Sequence, residues 1–383
     1  MTVRENAYGY VVVMVTAAEG VVGEFDFPAL RGRVDETLES LLDAKAKTRY
    51  GAHLGEALGA LRGFLAGGGK RVRPLFCCVG WHAAGGGVES RELLRIAAGL
   101  ELFHAFALLH DDVIDGSETR RGAPTVHRVL AARGVGPRGD WYGRSAAVLL
   151  GDLCEVWADE LFGGVAGGSE VSPRVLLDRM REEMLVGQLL DLGSGSGPGT
   201  VRQALQVIRY KTTQYTVKRP LQIGAALAGA DGPVLDALAA YADPLGEAFQ
   251  LLDDLEDLED VCEGGGRPGL GGEDLREGKR TVVLAVAVER ASAAQAGRLR
   301  ELVGAAGLDD AGVREARALI RETGAPDIVR RMITERRRQA LAVVDRGPFP
   351  TAAKPGLTAM ADLALPGVAR WDGGHEEEDV DHR

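Results

Sequence analysis

The sequence predicts an all-α protein, and three observations carry that expectation. Long segments rich in Ala, Leu, Arg and Glu place apolar residues at helical period. Runs that alternate polar with β-branched apolar residues are nearly absent. Much of the glycine falls in clusters (Gly67–Gly69, Gly85–Gly87, Gly163–Gly168, Gly193–Gly199 and Gly264–Gly272) that read as loops between those segments.

In chain order, helices are expected at 30–47, 52–65, 74–84, 89–115, 125–133, 143–162, 173–192, 200–211, 214–229, 233–261, 280–291, 294–303, 309–323, 325–345 and 351–363. Pro74 stands at the start of the third, where a missing N–H costs nothing. The fourth contains ELFHAFALLH at 101–110, apolar on more than one face, which suits a helix at the centre of a bundle. No long polar linker splits the middle and no repeat of fixed period stands out, so residues 28–365 are expected to form one large helical domain. Residues 1–27 read as a poorly specified extension. Residues 366–383 read as an acidic, disordered tail ending in HEEEDVDHR. The apolar run YVVVMVTAA at 10–18 is shorter than the roughly 20 residues a bilayer span needs, and no good cleavage site follows it.

Composition narrows the function. With 45 Lys+Arg against 56 Asp+Glu the net charge is -11, which argues against nucleic acid and against an anionic membrane surface. No stable membrane insertion is expected. Cys77, Cys78, Cys154 and Cys262 lack metal-site spacing and mostly sit among apolar residues, as reduced buried thiols of a cytoplasmic protein do.

The chemistry is announced by one pattern used twice. DDVID holds Asp111, Asp112 and Asp115, and DDLED holds Asp253, Asp254 and Asp257. Residues four apart stack on one helix face, where like charges repel by a few tenths of a kcal/mol. A single acidic turn is usually a solvated face. Two such turns, each following an apolar run (FHAFALLH and AFQLL), call for a cation. Oxygen donors suit Mg²⁺, which keeps several waters and is shared with substrate phosphates. Basic elements supply the other half of a diphosphate site: GGGKRVRP at 67–74, Arg120-Arg121 after the first motif, Lys211-Thr212, and Lys279-Arg280-Thr281. The first is not a nucleotide P-loop, because Arg71 stands where Ser or Thr is required.

GGGKRVRP, HDDVIDGSETRRGAPTVH, YKTTQYTVKRP, FQLLDDLED and DLREGKRT, in that order between about residues 30 and 345, resemble the trans-isoprenyl diphosphate synthases, or polyprenyl synthetases. The resemblance implies a single bundle of mostly antiparallel helices around a deep central cavity, in a homodimer. It implies three Mg²⁺ ions per site, held by Asp111, Asp112, Asp115, Asp253, Asp254 and Asp257. An allylic diphosphate would be cradled by Arg120, Lys211, Thr212, Gln250 and Lys279. Isopentenyl diphosphate would be held by Lys70, Arg73, His104 and Arg121. Where the family carries a lysine after the second motif this chain has Arg267, followed by about three extra residues, and the two side chains are not interchangeable. Phe106 and Ala107, one turn above the first motif, would form the floor that limits product length. One aromatic there resembles makers of the C20 product, geranylgeranyl diphosphate, with C15 or longer products as alternatives. Two other classes fit less well. A terpene cyclase lacks a second DDxxD and the isopentenyl diphosphate elements. A non-catalytic regulatory subunit tends to lose aspartates that are complete here.

Overall fold

The computed structural model describes residues 2–5, 11–14, 25–133, 138–165, 171–193, 199–259 and 272–373. The described residues are overwhelmingly helical, as expected, and group into two compact units: Met1–Arg174 with Ile223–Gly229, and Val175–Gln222 with Ala230–Arg383.

In the first unit, α1 (Phe27–Ala46) starts where the Asp26 carboxylate accepts the Ala29 N–H at 2.9 Å. It buries Leu30, Val34, Leu38 and Leu42, one stripe at four-residue spacing. Next come α2 (Gly51–Ala66) and α3 (Val72–Ala83), whose Phe76, Cys77 and Cys78 are fully buried with free thiols. The core helix is α4 (Arg91–Asp115), capped by Ser90 and stopped by Gly116 in the left-handed region. Its buried residues, among them Leu93, Ile96, Leu100, Phe103 and Leu109, lie all round the helix. By length and composition α4 could cross a membrane, yet it packs along α6 (Gly139–Phe162) and against α1 and α3. Short α5 (Val126–Ala131) also packs on α6.

The second unit runs through α7 (Pro173–Gly193), α8 (Val201–Val207), a π-helical stretch Ile208–Lys218 and α9 (Arg219–Leu227), whose end groups with the first unit. Its spine is α10 (Gly232–Glu259), which packs on the π-helical stretch and on α15 (Ala325–Arg346). Five shorter helices complete it: α11 (Glu273–Glu277), α12 (Val282–Arg290), α13 (Ala293–Leu302), α14 (Asp310–Glu322) and α16 (Lys354–Ala364). The buried Tyr241 hydroxyl donates to the Leu357 carbonyl at 2.7 Å, tying α10 to α16.

Four local features differ from the expectation. Residues 200–229 form not two helices but one continuous run through the π-helical stretch. Strands β1 (Thr2–Glu5) and β2 (Val11–Met14) pair antiparallel inside the N-terminal extension. Strands β3 (Thr119–Arg120) and β4 (Ala123–Pro124) pair antiparallel after the first aspartate motif. Beyond α16, Val368–Gly373 forms a 3₁₀ turn with Val368 buried, so order extends into the segment expected as a tail; residues 374–383 lie outside the described residues.

Candidate active site

The first unit carries the first aspartate motif at the C-terminal end of α4. Asp111 and Asp115 share a face and are half-buried, whereas Asp112 is buried. Asp112 Oδ1 accepts from Arg120 Nε at 2.7 Å and lies 2.6 Å from Nη2. Burial pushes the Asp112 carboxyl above its ordinary value and Arg120 offsets this only in part. Its Oδ2 is buried without a hydrogen-bond partner, an oxygen that a cation or a metal-bound water would satisfy.

Arg120 reaches Asp112 because RRG is a hairpin. Arg121 and Gly122 are its two central residues, with φ of 53° and 75°. Positive φ at both positions is what a two-residue type I′ turn requires; Gly122 adopts it freely and Arg121 does so under strain. The Arg121 guanidinium donates to the Gly68 carbonyl in the glycine loop. That loop presents exposed Lys70 and half-buried Arg73. His104 lies two turns above Asp111 on α4. Burial, then the charges of Arg73, Arg121, Arg120 and Arg71, hold it well below the usual imidazole value, so it is neutral at pH 7. The arginines converge on one point, the chemistry of an anion site.

One turn above the motif, Phe106 is 9% exposed, with its ring 5.3 Å from Phe103 and 4.7 Å from His110. Ala107 beside it is half-buried. His110 Nε2 bonds to the Val148 carbonyl of α6 at 3.0 Å, so the stack is anchored to the neighbouring helix. Reading the sequence missed the contribution of Phe103 and His110 to this stack.

The second unit carries DDLED near the end of α10. Thr212 Oγ1 donates to Gln250 Oε1 at 2.7 Å, and Gln250 Nε2 donates to Asp254 Oδ1 at 2.8 Å and to Asp253 Oδ2 at 3.3 Å. These two residues, expected as diphosphate ligands, therefore also orient the aspartates. Asp254 is buried and Asp253 exposed. Asp257 accepts backbone N–H groups of Gly272, Glu273 and Asp274 at 3.2–3.3 Å and so caps α11. Burial and the Asp274 charge raise Asp257 to about 6, against those hydrogen bonds, and raise Asp254 well above its ordinary value. Lys279 pairs with Asp274 at 3.1 Å and Glu277 at 2.8 Å. Burial lowers its pKa, but these carboxylates outweigh that and hold it charged. Lys211 pairs with Asp191 at 2.8 Å. Arg267 and Cys262 lie outside the described residues.

The π-helical stretch sets Lys211 and Thr212. Its wide turn is met by two glycines: a Cβ on Gly187 of α7 would sit 2.4 Å from the Lys211 nitrogen, and one on Gly246 of α10 2.8 Å from Thr213 Cα. Glycine in the middle of a helical pattern was the available signal for this close approach.

A family model for polyprenyl synthetases matches residues 57–320. The chain belongs to the polyprenyl synthetase family. It is 30% identical to the short chain isoprenyl diphosphate synthase of Methanocaldococcus jannaschii over 285 residues, 74% of this chain and 79% of that one. It is 29% identical to the nonaprenyl diphosphate synthase of Mycobacterium tuberculosis over 308 residues, 79% of this chain and 83% of that one. The crystal structure of a geranylgeranyl pyrophosphate synthase from Corynebacterium glutamicum, complexed with isoprenyl diphosphate and magnesium, superposes with a TM-score of 0.82 at 36% identity. That match covers 89% of this chain and 99% of the other. The chain is thus a trans-prenyltransferase of all-α isoprenoid synthase fold.

The donor sets of this synthase fit hard divalent cations. Among the described residues no three His, Cys, Asp or Glu side chains are gathered as a ready-made metal cage. What the two motifs offer is carboxylate oxygens at half-buried or crowded positions, which suits an ion that completes its shell with water and phosphate oxygens.

Proposed function

We propose that this synthase condenses isopentenyl diphosphate head-to-tail with allylic diphosphates, with Mg²⁺ as its cofactor, and stops at the C20 product, geranylgeranyl diphosphate. The observation that carries the length assignment is the Phe103–Phe106–His110 stack one turn above Asp111, with the smaller Ala107 beside it. Such a stack narrows the path along α4 and leaves room on one side. The similarity to a geranylgeranyl pyrophosphate synthase supports it. The nonaprenyl relative makes a longer product the competing outcome.

Asp111, Asp115 and Asp253, with Asp112, Asp254 and Asp257 behind them, are the residues that hold the metal, three ions per site by the family pattern. Bound Mg²⁺ supplies electrostatic stabilisation for the diphosphate as it departs. The protein's own groups act in the same sense. By the family pattern Arg120, Lys211 and Lys279 are the cations assigned to that leaving group, with Arg267 a further candidate. Thr212 and Gln250 fix the Asp253 and Asp254 carboxylates. Lys70, Arg73, Arg121 and neutral His104 hold the diphosphate of isopentenyl diphosphate, whose double bond attacks the allylic carbon. The proton that then leaves needs no protein base, since the released diphosphate can take it.

The working form is proposed to be a cytoplasmic homodimer. Its face includes α6, where Tyr142, Leu149 and Val156 repeat every seven residues and are 40%, 63% and 61% exposed. An exposed apolar stripe of that length is covered most simply by a second copy. Leu149→Arg should convert the dimer to monomer in sedimentation analysis, and an unchanged sedimentation coefficient would remove α6 from the interface. The function itself is tested by incubating the isolated protein with Mg²⁺, labelled isopentenyl diphosphate and C5, C10 or C15 allylic diphosphates. A C20 product is expected. Longer or C15 products would keep the reaction and move the floor elsewhere, and no product would point to a subunit that needs a partner.

A further inference from the structure

We propose that Arg71 is a positioning residue for isopentenyl diphosphate, holding Lys70 and Arg73 in place through a buried ionic network with Glu101 and Asp35; this rests on the assignment of Lys70 and Arg73 as ligands of that substrate. Arg71 stands between those two residues, yet its own side chain is turned inward and is only 6% exposed. Its Nε donates to Asp35 Oδ1 on α1 at 2.8 Å, its Nη1 to Glu101 Oε1 on α4 at 2.9 Å, and its Nη2 to the Leu65 carbonyl near the end of α2 at 2.7 Å. One guanidinium thus ties three helices to the start of a fourth, α3. Glu101 is 5% exposed and lies one turn before His104 on α4.

The backbone gives independent support. Among the described residues only Arg71 and Arg121 are non-glycine residues at positive φ, 50° and 53°. The left-handed region costs an L-residue on the order of 1–2 kcal/mol and persists where the surroundings over-determine it. The three hydrogen bonds of Arg71 are those surroundings. They fix a turn that lifts Lys70 to the surface while Arg73 stays half-buried beside the His104 cluster. Glu101 also acts on Arg121, which feels the repulsion of Arg120, Arg71 and Arg73, and so offsets part of that repulsion. An arginine that contacts no substrate then decides how well two others do.

The test uses steady-state kinetics of the full chain with both substrates varied. Arg71→Gly keeps the positive φ strain-free and deletes only the side chain. It should raise KM for isopentenyl diphosphate about tenfold or more, while KM for the allylic diphosphate and kcat stay within about threefold, since misplacing a binding group by an ångström has effects of that size. Glu101→Gln and the milder Asp35→Asn should shift the same KM in the same direction, and Arg71→Gly with Glu101→Gln should shift it less than the product of the two single effects. Either of these serves if Arg71→Gly does not fold. Equal shifts in both KM values, or a lower melting temperature with neither KM changed, would show a merely structural arginine and overturn the proposal. Arg73→Ala is the control. If it leaves KM for isopentenyl diphosphate unchanged, the site assignment fails and takes the proposal with it, whereas a raised KM in Arg73→Ala with none in Arg71→Gly refutes the positioning role alone.

Discussion

The same five-residue pattern is set in two different electrostatic surroundings. At DDVID the buried aspartate, Asp112, has an arginine 2.6 Å away, and Arg120 is the largest of the charges acting on it, ahead of Asp111 and His127. At DDLED the buried aspartate, Asp254, has the neutral Gln250 as hydrogen-bond partner and feels the charge of Asp274 and Asp253; Lys279, the nearby cation, is shared with Asp274 and Glu277. Asp112 is therefore countered in part from within the protein, whereas among the described residues the cation acting on Asp254, Lys279, is shared with other carboxylates. Two copies of a motif need not have equal affinity for metal, and the local cation count decides which is the more demanding.

The largest effects should come from the aspartates themselves. Asp111→Ala and Asp253→Ala each remove an oxygen donor and should lower kcat by about 10²–10³-fold, the range seen when one electrostatic stabiliser is lost. The comparison adds a difference between them: Asp253→Ala should raise the Mg²⁺ concentration for half-maximal rate more than Asp111→Ala does. Equal Mg²⁺ dependence in both variants would remove the distinction between the motifs, and full activity in either would remove that residue from the metal site.

Next in size is the internal cation. Arg120→Leu leaves Asp112 buried with no countercharge. It should destabilise the protein by about 2–3 kcal/mol, less than a fully buried pair because the arginine side chain is 29% exposed. Gln250→Leu at the corresponding place in the second unit removes a neutral partner and should cost about 1–2 kcal/mol. Urea denaturation in EDTA compares the two, and a larger loss for Gln250→Leu would reverse the electrostatic ranking.

A smaller effect sharpens the same point through pH. Asp257 is raised to about 6 in the fold, against about 3.9 for an unfolded aspartate. The folded state thus holds the proton more tightly. The stability this contributes is full below about pH 4 and is lost as pH rises through about 6. Metal displaces that proton, so the rise in melting temperature produced by Mg²⁺ should be larger at about pH 7.5 than at about pH 5. Asp274→Asn removes a charge that raises both Asp254 and Asp257, and should flatten the metal-free pH dependence. An Mg²⁺ effect of the same size at both pH values would show that the carboxylates of the second motif are already ionised without it.

How much of this the sequence disclosed follows a physical division. The helical class, most helix bounds, both aspartate motifs and the basic loop were legible because each is a local signal of spacing, capping or charge. The RRG hairpin was not, because Arg has no preference for φ of 53°, and the turn is held by Gly122 and by a bond from Arg121 to Gly68 far along the chain. Arg71 read only as one of the basic residues of GGGKRVRP, because its partners Asp35 and Glu101 are 36 and 30 residues away. The π-helical stretch over Lys211 and Thr212 has no composition of its own. It shows only in the glycines of other helices that make room for it. Side chains expected to face substrate also turned out to face one another, as Thr212, Gln250 and Asp254 do, since a motif names its members without saying which of them bonds to which.

The smallest effect on rate should be the one most visible in the product. Phe106 precedes DDVID on α4 as Phe249 precedes DDLED on α10, yet only Phe106 stands in an aromatic stack, with Phe103 and His110. Phe106→Ala removes the middle ring while His110 keeps its bond to the Val148 carbonyl, so the helix should hold its place. The cavity left by a buried Phe→Ala change costs about 3 kcal/mol or more in stability, which a growing apolar chain can partly restore by occupying it. Product length by chromatography should then shift beyond the wild-type product, with kcat for the first condensation within about threefold, since no group that stabilises charge has changed. Phe249→Ala should leave the length distribution alone. If both variants give the wild-type distribution, the floor is not on α4; if both lengthen it, the difference between the two motif helices does not extend to the hydrocarbon chain.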